Sequence, residues 1–354
     1  MTQTKTITTE REQRPGEHKE DTHMRAIVYH TYGSPDVLKL EEVQKPVPQD
    51  DEVLVKIHAT SVNAGDWHLL RAKPFLMRLM GYGLLKPKNT ILGSDIAGRV
   101  EAVGRNVKQF QSGDEVFGNT AKSGFGGFAE YVSAPENALV LKPTNISFEE
   151  AAAVPQAAVV ALQGLRDKGH IQKGQKVLIN GAGGGVGTFA VQIAKSFGAE
   201  VTAVCSTRNL DIVRSIGADH VIDYTQEDFT RNEQRYDLIL AVNGYHSISA
   251  YKRALTPSGV YVTTGGSNAQ MFQAMLLGPL ISRTGRQKMG NSAHKPNKKD
   301  LNFMKELLEA DKVTPVIDRR YQLGETAEAL RYLEEGHARG KVVITVDHNH
   351  KTSL

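Results

Sequence analysis

One stretch constrains this chain more than any other: Val177-Leu-Ile-Asn-Gly181-Ala-Gly183-Gly184-Gly185-Val186-Gly187. Apolar strand formers run into a cluster of glycines, and Phe189, Val191, Ile193 and Ala194 carry the pattern on into a helix. A dinucleotide pyrophosphate needs close backbone approach and unpaired N–H groups at a helix N-terminus, and glycines permit both. A tight strand-to-helix turn with no ligand would show the same glycines. A second strand at 200–204, about twenty residues on, argues for the nucleotide. Helix 210–216 and strands at 237–242 and 260–264 extend the alternation, which implies a parallel sheet with helices on both faces.

The texture before this region differs. Short apolar runs at 25–29, 53–59, 96–103 and 130–132 are separated by turn residues and by glycines at 93, 98, 104, 113, 118, 124, 126 and 127. That density suits a barrel-like β domain with tight corners. An alanine-rich helix is expected over 149–165, amphipathic helices over 301–309 and 326–335, and a closing strand over 341–346. With 354 residues and ~150 per domain, two domains are expected.

Lys plus Arg number 43 against 39 acids, a net charge of +4. The excess is diffuse and gives no reason to expect nucleic acid as the main partner. No apolar run approaches the ~18 residues of a membrane span, so no membrane partner is expected. The single cysteine, Cys205, rules out an internal disulfide and any Cys₄ or Cys₂His₂ zinc site. Residues 1–23 are polar, of mixed charge, and lack the apolar core of a signal peptide. They read as a disordered extension, and the cytoplasm is the expected compartment.

The end of the second strand chooses between dinucleotides. NAD-binding folds usually place an acid there to accept from the ribose 2′-OH. Here the chain reads Cys205-Ser206-Thr207-Arg208-Asn209. Hydroxyl donors and a guanidinium suit a 2′-phosphate, which favours NADPH. A solvated helix-start residue is the alternative reading of Arg208.

These features, in this order, resemble the zinc-independent medium-chain dehydrogenase/reductases of the quinone oxidoreductase (zeta-crystallin) type. The resemblance runs from about residue 24 to 346. It is carried by Ser61-Val-Asn63-Ala-Gly-Asp66-Trp67, Gly93-Ser-Asp95-Ile-Ala-Gly98, Gly113-Asp-Glu-Val-Phe-Gly118, Gly127-Phe-Ala-Glu-Tyr131, the glycine-rich turn, Gly217-Ala-Asp219 and Gly340-Lys341-Val-Val-Ile. It implies an α/β fold: a GroES-like β-rich catalytic domain (24–148), a Rossmann doubly wound parallel sheet (149–290), and a return to the catalytic domain (291–354). The active site would lie in the cleft between them. Zinc-dependent relatives carry a cysteine at the position of Asn63, a His-Glu pair at Ser94-Asp95, and a four-cysteine lobe with no counterpart here. The resemblance therefore implies a metal-free site.

It further implies cofactor contacts from Gly183, Gly184, Gly185, Val186 and Gly187, from Ser206, Thr207, Arg208 and Tyr224 near the 2′-phosphate, and from Gly265 and Gly266 near the nicotinamide. A threonine common in the family is Val160 here, so a hydroxyl contact is lost, with Gln156 close by in sequence. Homodimers through Rossmann edge strands are common among such proteins, and a homodimer is the corresponding expectation.

Without a metal, hydride must go to an acceptor that spreads the incoming charge, such as a quinone or an α,β-unsaturated carbonyl. One or two hydrogen-bond donors assist a delocalised oxyanion, each by about 2–4 kcal/mol. Asn63 is the candidate donor, with a loop-capping asparagine as the alternative. Asp66 is placed with it as a catalytic candidate, more suited to orienting the loop or the ribose than to acting as an acid. Trp67 and Tyr82 are candidates to wall an apolar substrate slot, or are core packing. The basic stretch 283–299 reads as a solvated loop, or as an attractor of an acidic thioester substrate. Two other functions fit the same residues: a zinc-free alcohol or carbonyl dehydrogenase, and a catalytically weak NADPH-binding sensor or partner module.

Overall fold

The computed structural model describes residues 22–73, 78, 82–243, 246–266 and 268–348. All but the last two residues of the expected N-terminal extension lie outside them. The chain opens with β1 (His23–Val28) and β2 (Lys39–Gln44), an antiparallel pair. There follow β3 (Glu52–Val62), α1 (Ala64–Arg71), β4 (Asp95–Val103), β5 (Glu115–Asn119), β6 (Tyr131–Pro135) and β7 (Leu139–Leu141). Two short helices come next, α2 (Phe148–Ala152) and α3 (Pro155–Leu162). The middle of the chain builds β8 (Lys176–Asn180), α4 (Gly185–Ser196), β9 (Glu200–Cys205), α5 (Leu210–Ser215), β10 (His220–Asp223) and β11 (Tyr236–Ala241). It continues through α6 (Ile248–Ala254), β12 (Leu255–Thr263), α7 (Asn268–Thr284) and β13 (Lys288–Asn291). Last are α8 (Lys298–Glu309), β14 (Ile317–Gln322), α9 (Thr326–Glu334) and β15 (Lys341–Thr345).

The six strands β8 to β13 form one parallel sheet in the order β10-β9-β8-β11-β12-β13. Counted along the chain this is 3-2-1-4-5-6, the dinucleotide-binding order, with its crevice where β8 and β11 diverge. Val177, Leu178, Ile179, Leu238, Ile239 and Leu240 are wholly buried. Helices cover both faces, so the central strands are apolar without alternation. The second sheet runs β14-β15-β3-β4-β5-β7, with β6 also paired to β3. Its strand β15 pairs antiparallel with β3, so the end of the chain closes the sheet begun near its start.

Two expectations need correction. The helix over 149–165 is broken at Val154: Ser147 and Glu150 cap α2 reciprocally, and Pro155 opens α3, where its missing N–H costs nothing. The basic stretch is not all loop, since α7 reaches Thr284 and Lys288–Asn291 is the sixth parallel strand. At the sheet edge only Met289 of that strand is buried, so no apolar run announces it. After β13, α8 packs against α3 and against β7. Leu301, Met304 and Leu308 join the core beneath the parallel sheet, and β14 and β15 re-enter the other one.

Candidate active site

β8 ends at Asn180, and Gly181 turns the chain with φ +86°, a conformation that favours glycine. At Gly187 a Cβ would overlap the Gly181 carbonyl oxygen and lie 2.7 Å from Ala182 Cα. The first turn of α4 therefore sits directly on the strand end, with Gly184 as its N-cap. The N–H groups of Gly185, Val186 and Gly187 have no acceptor within the helix and point out of its N-terminus. Gly183 packs against Asn209, whose buried Oδ1 has no hydrogen-bond partner. Thr264 Oγ1, at the end of β12 and beside Gly265 and Gly266, is buried and unpartnered in the same way. Open amides and orphaned polar atoms along the carboxyl edge of the sheet fit a dinucleotide.

Ser206, Thr207 and Arg208 form a tight turn after β9, and Tyr224 joins them, its N–H donating to the Cys205 carbonyl. Arg208 and Tyr224 are exposed. Arg208 makes no ion pair among the described residues, whereas the Thr207 hydroxyl donates to Asp223 Oδ2 at 2.6 Å. Hydrogen bonds from Thr207 and Thr225 hold the exposed Asp223 carboxyl below its usual pKa range. That acid was not singled out from the sequence, because it ends the third strand rather than the second.

Across the cleft, five distant stretches meet in a buried polar network. Asn63 caps α1, and its backbone N–H donates to Asp66 Oδ2 at 2.8 Å. Gly93 N–H donates to Asp66 Oδ1 at 3.2 Å. Asp66 thus ties two loops together, and burial is the main cause that pushes its pKa up to about 7. The Asn63 side chain turns inward: Nδ2 donates to Asp95 Oδ2 at 3.0 Å, and Oδ1 accepts from Lys341 Nζ at 2.6 Å. Asp95 also accepts from Asn119 Nδ2 at 2.7 Å, Gln156 N–H at 3.2 Å and Ser61 Oγ at 3.3 Å. Lys341 Nζ lies 3.9 Å from Asp95 Oδ2. Burial pushes both of these charged groups toward their neutral forms, and their mutual attraction opposes it.

Lys341 is the residue that motif reading missed. It sits inside a family signature, but nothing local in Gly340-Lys341 says that its amine is buried. The Lys341 Cδ comes within 3.0 Å of where a Gly185 Cβ would stand, and Gly184 forms a β-bridge with Gly340. One buried lysine therefore touches both the glycine-rich turn and the opposite network. Gln156, noted in the sequence near Val160, also lies here: its Oε1 accepts from Ser94 Oγ at 3.1 Å, and Nε2 lies near Gly65 with no partner among the described residues. Beside Asn119 and Pro155, a cavity of about 620 Å³ opens between the domains, bounded also by Lys122, Val159 and Pro296. Trp67 stacks on His68, and Tyr82 lies 6.4 Å from Phe125. Both are half-buried against the core of the first domain.

The donor set does not suit zinc. Asn63, Ser94 and Asp95 stand where relatives carry ligands, but the Asn63 amide and the Asp95 carboxylate are engaged with each other and with the Lys341 amine, and the Ser94 hydroxyl donates to Gln156. Among the described residues no three His, Cys, Asp or Glu side chains gather as ligands.

Comparison with known proteins agrees with this geometry. Residues 49–144 match the alcohol dehydrogenase GroES-like domain, and residues 216–344 match the zinc-binding dehydrogenase family. The chloroplast envelope quinone oxidoreductase homolog of Arabidopsis thaliana is 34% identical, over 91% of this chain and 98% of that protein. The 2-methylene-furan-3-one reductase of Solanum lycopersicum is 37% identical, over 91% and 79%. The solved quinone oxidoreductase from Coxiella burnetii superposes with a TM-score of 0.80 at 30% identity, over 92% of this chain and all of that one. The chain belongs to the zinc-independent quinone oxidoreductase type of medium-chain dehydrogenase/reductases. As a member of that family it is an oxidoreductase that uses a nicotinamide cofactor, with the GroES-like and Rossmann domains facing one another across the site.

Proposed function

We propose that this oxidoreductase uses NADPH to reduce quinones or α,β-unsaturated carbonyls without a metal. The observation that carries the reading is the Lys341 ammonium lodged among Asn63 and Asp95, next to the dinucleotide turn. Where that amine stands there is no room for a Lewis acid, so charge developing on the acceptor must be met by hydrogen-bond donors and by its own delocalisation. Relatives named for the reduction of quinones and of enones support the same acceptor class.

The cofactor supplies a hydride from its nicotinamide. Its pyrophosphate would be held by the Gly185, Val186 and Gly187 amides, and its 2′-phosphate by Arg208 and Ser206 with Tyr224 alongside. Gly265 and Gly266 would form the wall at the nicotinamide end. Thr207 is already committed to Asp223, so the preference for NADPH over NADH rests chiefly on Arg208.

The Asn63 amide is spent on Asp95 and Lys341, which makes Asn63 a positioning residue, with Asp66 holding its loop. The donor left for the acceptor oxygen is Gln156 Nε2, whose amide is oriented by Ser94. Following NADPH consumption with quinones, alkenals and saturated ketones tests the assignment. Turnover should fall in that order of electrophilicity, and Gln156→Ala should lower kcat about 10- to 100-fold while NADPH affinity stays unchanged. Equal turnover of saturated ketones, or an unaffected Gln156 variant, would overturn it.

A further inference from the structure

A phosphate monoester carries roughly two negative charges near neutral pH. The turn at 206–209, where the 2′-phosphate would sit, supplies a single cation, Arg208, and its Thr207 hydroxyl is held by the exposed Asp223 carboxylate. Charge is therefore short on the Rossmann side. The segment that closes the chain lies against the same turn from the other domain: Gly184 forms a β-bridge with Gly340, and Gly183 packs on Asn209. Beyond Gly340, β15 runs parallel to β14, where Arg319 pairs in register with Val342.

Arg319 is exposed, and its guanidinium lies 3.8 Å from the centre of the Tyr332 ring on α9. The Tyr332 hydroxyl donates to Asp318 Oδ2 at 2.6 Å, and the Arg339 N–H donates to the same oxygen at 2.9 Å. Tyr332 is thereby fixed, and the acid next to Arg319 is occupied. Burial comes first among the causes that lift the Tyr332 hydroxyl above its usual pKa, and Asp318 adds to it. The charges of Arg319 and Arg208 both act against them. Two arginines from opposite domains thus bear on one tyrosine. The hydrogen bond of Arg319 goes to Tyr321, while Asp318 acts on it through charge alone. Most of its N–H donors are left for a ligand. A guanidinium stacked on a ring keeps its edge free, and its fork of donors matches phosphate oxygens.

Building on the NADPH reading, we propose that Arg319 is a second determinant of cofactor choice, reaching from the catalytic domain to the 2′-phosphate that Arg208 holds from the Rossmann side. The phosphate is then gripped from both domains, whereas an unphosphorylated dinucleotide meets only one. Arg320 provides the contrast within the same strand. It is the next residue on β14 and is also exposed, but successive side chains leave a strand on opposite faces. It adds the same charge to the domain without sharing the Tyr332 side.

The test is calorimetric titration of the whole protein with NADPH, NADH and adenosine 2′,5′-bisphosphate, with melting curves alongside. The wild type should bind NADPH more tightly than NADH. Arg319→Gln should weaken NADPH and the bisphosphate about 10-fold, the scale of one charge-assisted contact, while NADH affinity and the melting temperature stay as they were. That loss should shrink as salt rises. Arg320→Gln should leave all three affinities unchanged. Full NADPH affinity in Arg319→Gln would overturn the role of Arg319 and leave the NADPH reading standing. So would an equal loss for NADH, or an equal loss in Arg320→Gln, since each would show a general effect of charge or structure rather than a contact with the phosphate. A wild type that binds NADH as tightly as NADPH would remove both.

Discussion

The two faces of the cleft solve the same problem, the placement of polar groups in a dry space, by opposite means. On the Rossmann side the backbone acts: Gly181 to Gly187 strip away side chains so that amides are presented at the end of α4. On the GroES-like side the side chains act: Asn63, Asp66, Asp95, Asn119 and Lys341 satisfy one another at 2.6–3.9 Å and leave little for a ligand. A backbone site tolerates no added atoms, whereas a side-chain network tolerates no missing partner. Substitutions should therefore fail in different ways on the two sides.

The largest effect is expected at Gly187. Valine there must displace Gly181 O and Ala182, both backbone, so α4 has to move off β8. We expect loss of measurable NADPH binding and about 3 kcal/mol or more of stability, in line with severe overpacking. Calorimetric titration with a parallel melting curve checks it, and retained affinity would mean that the turn is less tightly seated than its contacts indicate.

Next is the buried pair. Asp95→Asn or Lys341→Met alone should cost about 3–5 kcal/mol, because each leaves an uncompensated buried charge. Changing both, as Asp95→Asn with Lys341→Met, should recover most of that stability. Denaturant unfolding of the four proteins gives the coupling directly. If the double variant is as damaged as the sum of the singles, the network is not held together by charge.

The contrast also explains which half of the site was legible beforehand. Gly181 to Gly187 lie within seven consecutive residues, and their meaning depends only on the strand before and the helix after. The network draws on residues 63–66, 93–95, 119, 156 and 341, which β3, β4, β5, α3 and β15 bring together only when both sheets are complete. Asn63 and Asp66 could be named from a motif, but the direction of the Asn63 amide could not, since it is set by Lys341 almost three hundred residues away. The fold was legible where strands are buried on both faces, as at 176–180. It was not where an edge strand such as Lys288–Asn291 buries one side chain.

A smaller effect belongs to the exposed end of the backbone site. Arg208→Glu should weaken NADPH relative to NADH by about 10- to 100-fold, the scale of losing one charge-assisted contact. Because Arg208 is exposed, stability should hardly change. Measuring kcat/KM with both cofactors decides the matter. An unaltered ratio would transfer the discrimination to Ser206 and Tyr224.

His294 supplies a third case, a polar group that neither presents itself to a ligand nor joins a network. It stands where the chain leaves β13, with both ring nitrogens buried and unpartnered. Burial is the main cause that pushes its pKa down from 6.5 to about 4, with the Lys122 charge acting in the same direction and Asp300 against it. A depressed folded-state pKa means that the unfolded chain takes up its proton first. The contribution of His294 is therefore intact above pH 6.5 and is lost as pH falls toward 4, reaching about 2–3 kcal/mol there. His294→Phe removes the titrating group and keeps a ring in the same space, so the variant should match the wild type at pH 8 and exceed it at pH 4.5. Urea midpoints across that range measure the difference, and parallel curves would show that the imidazole is hydrated or paired in solution.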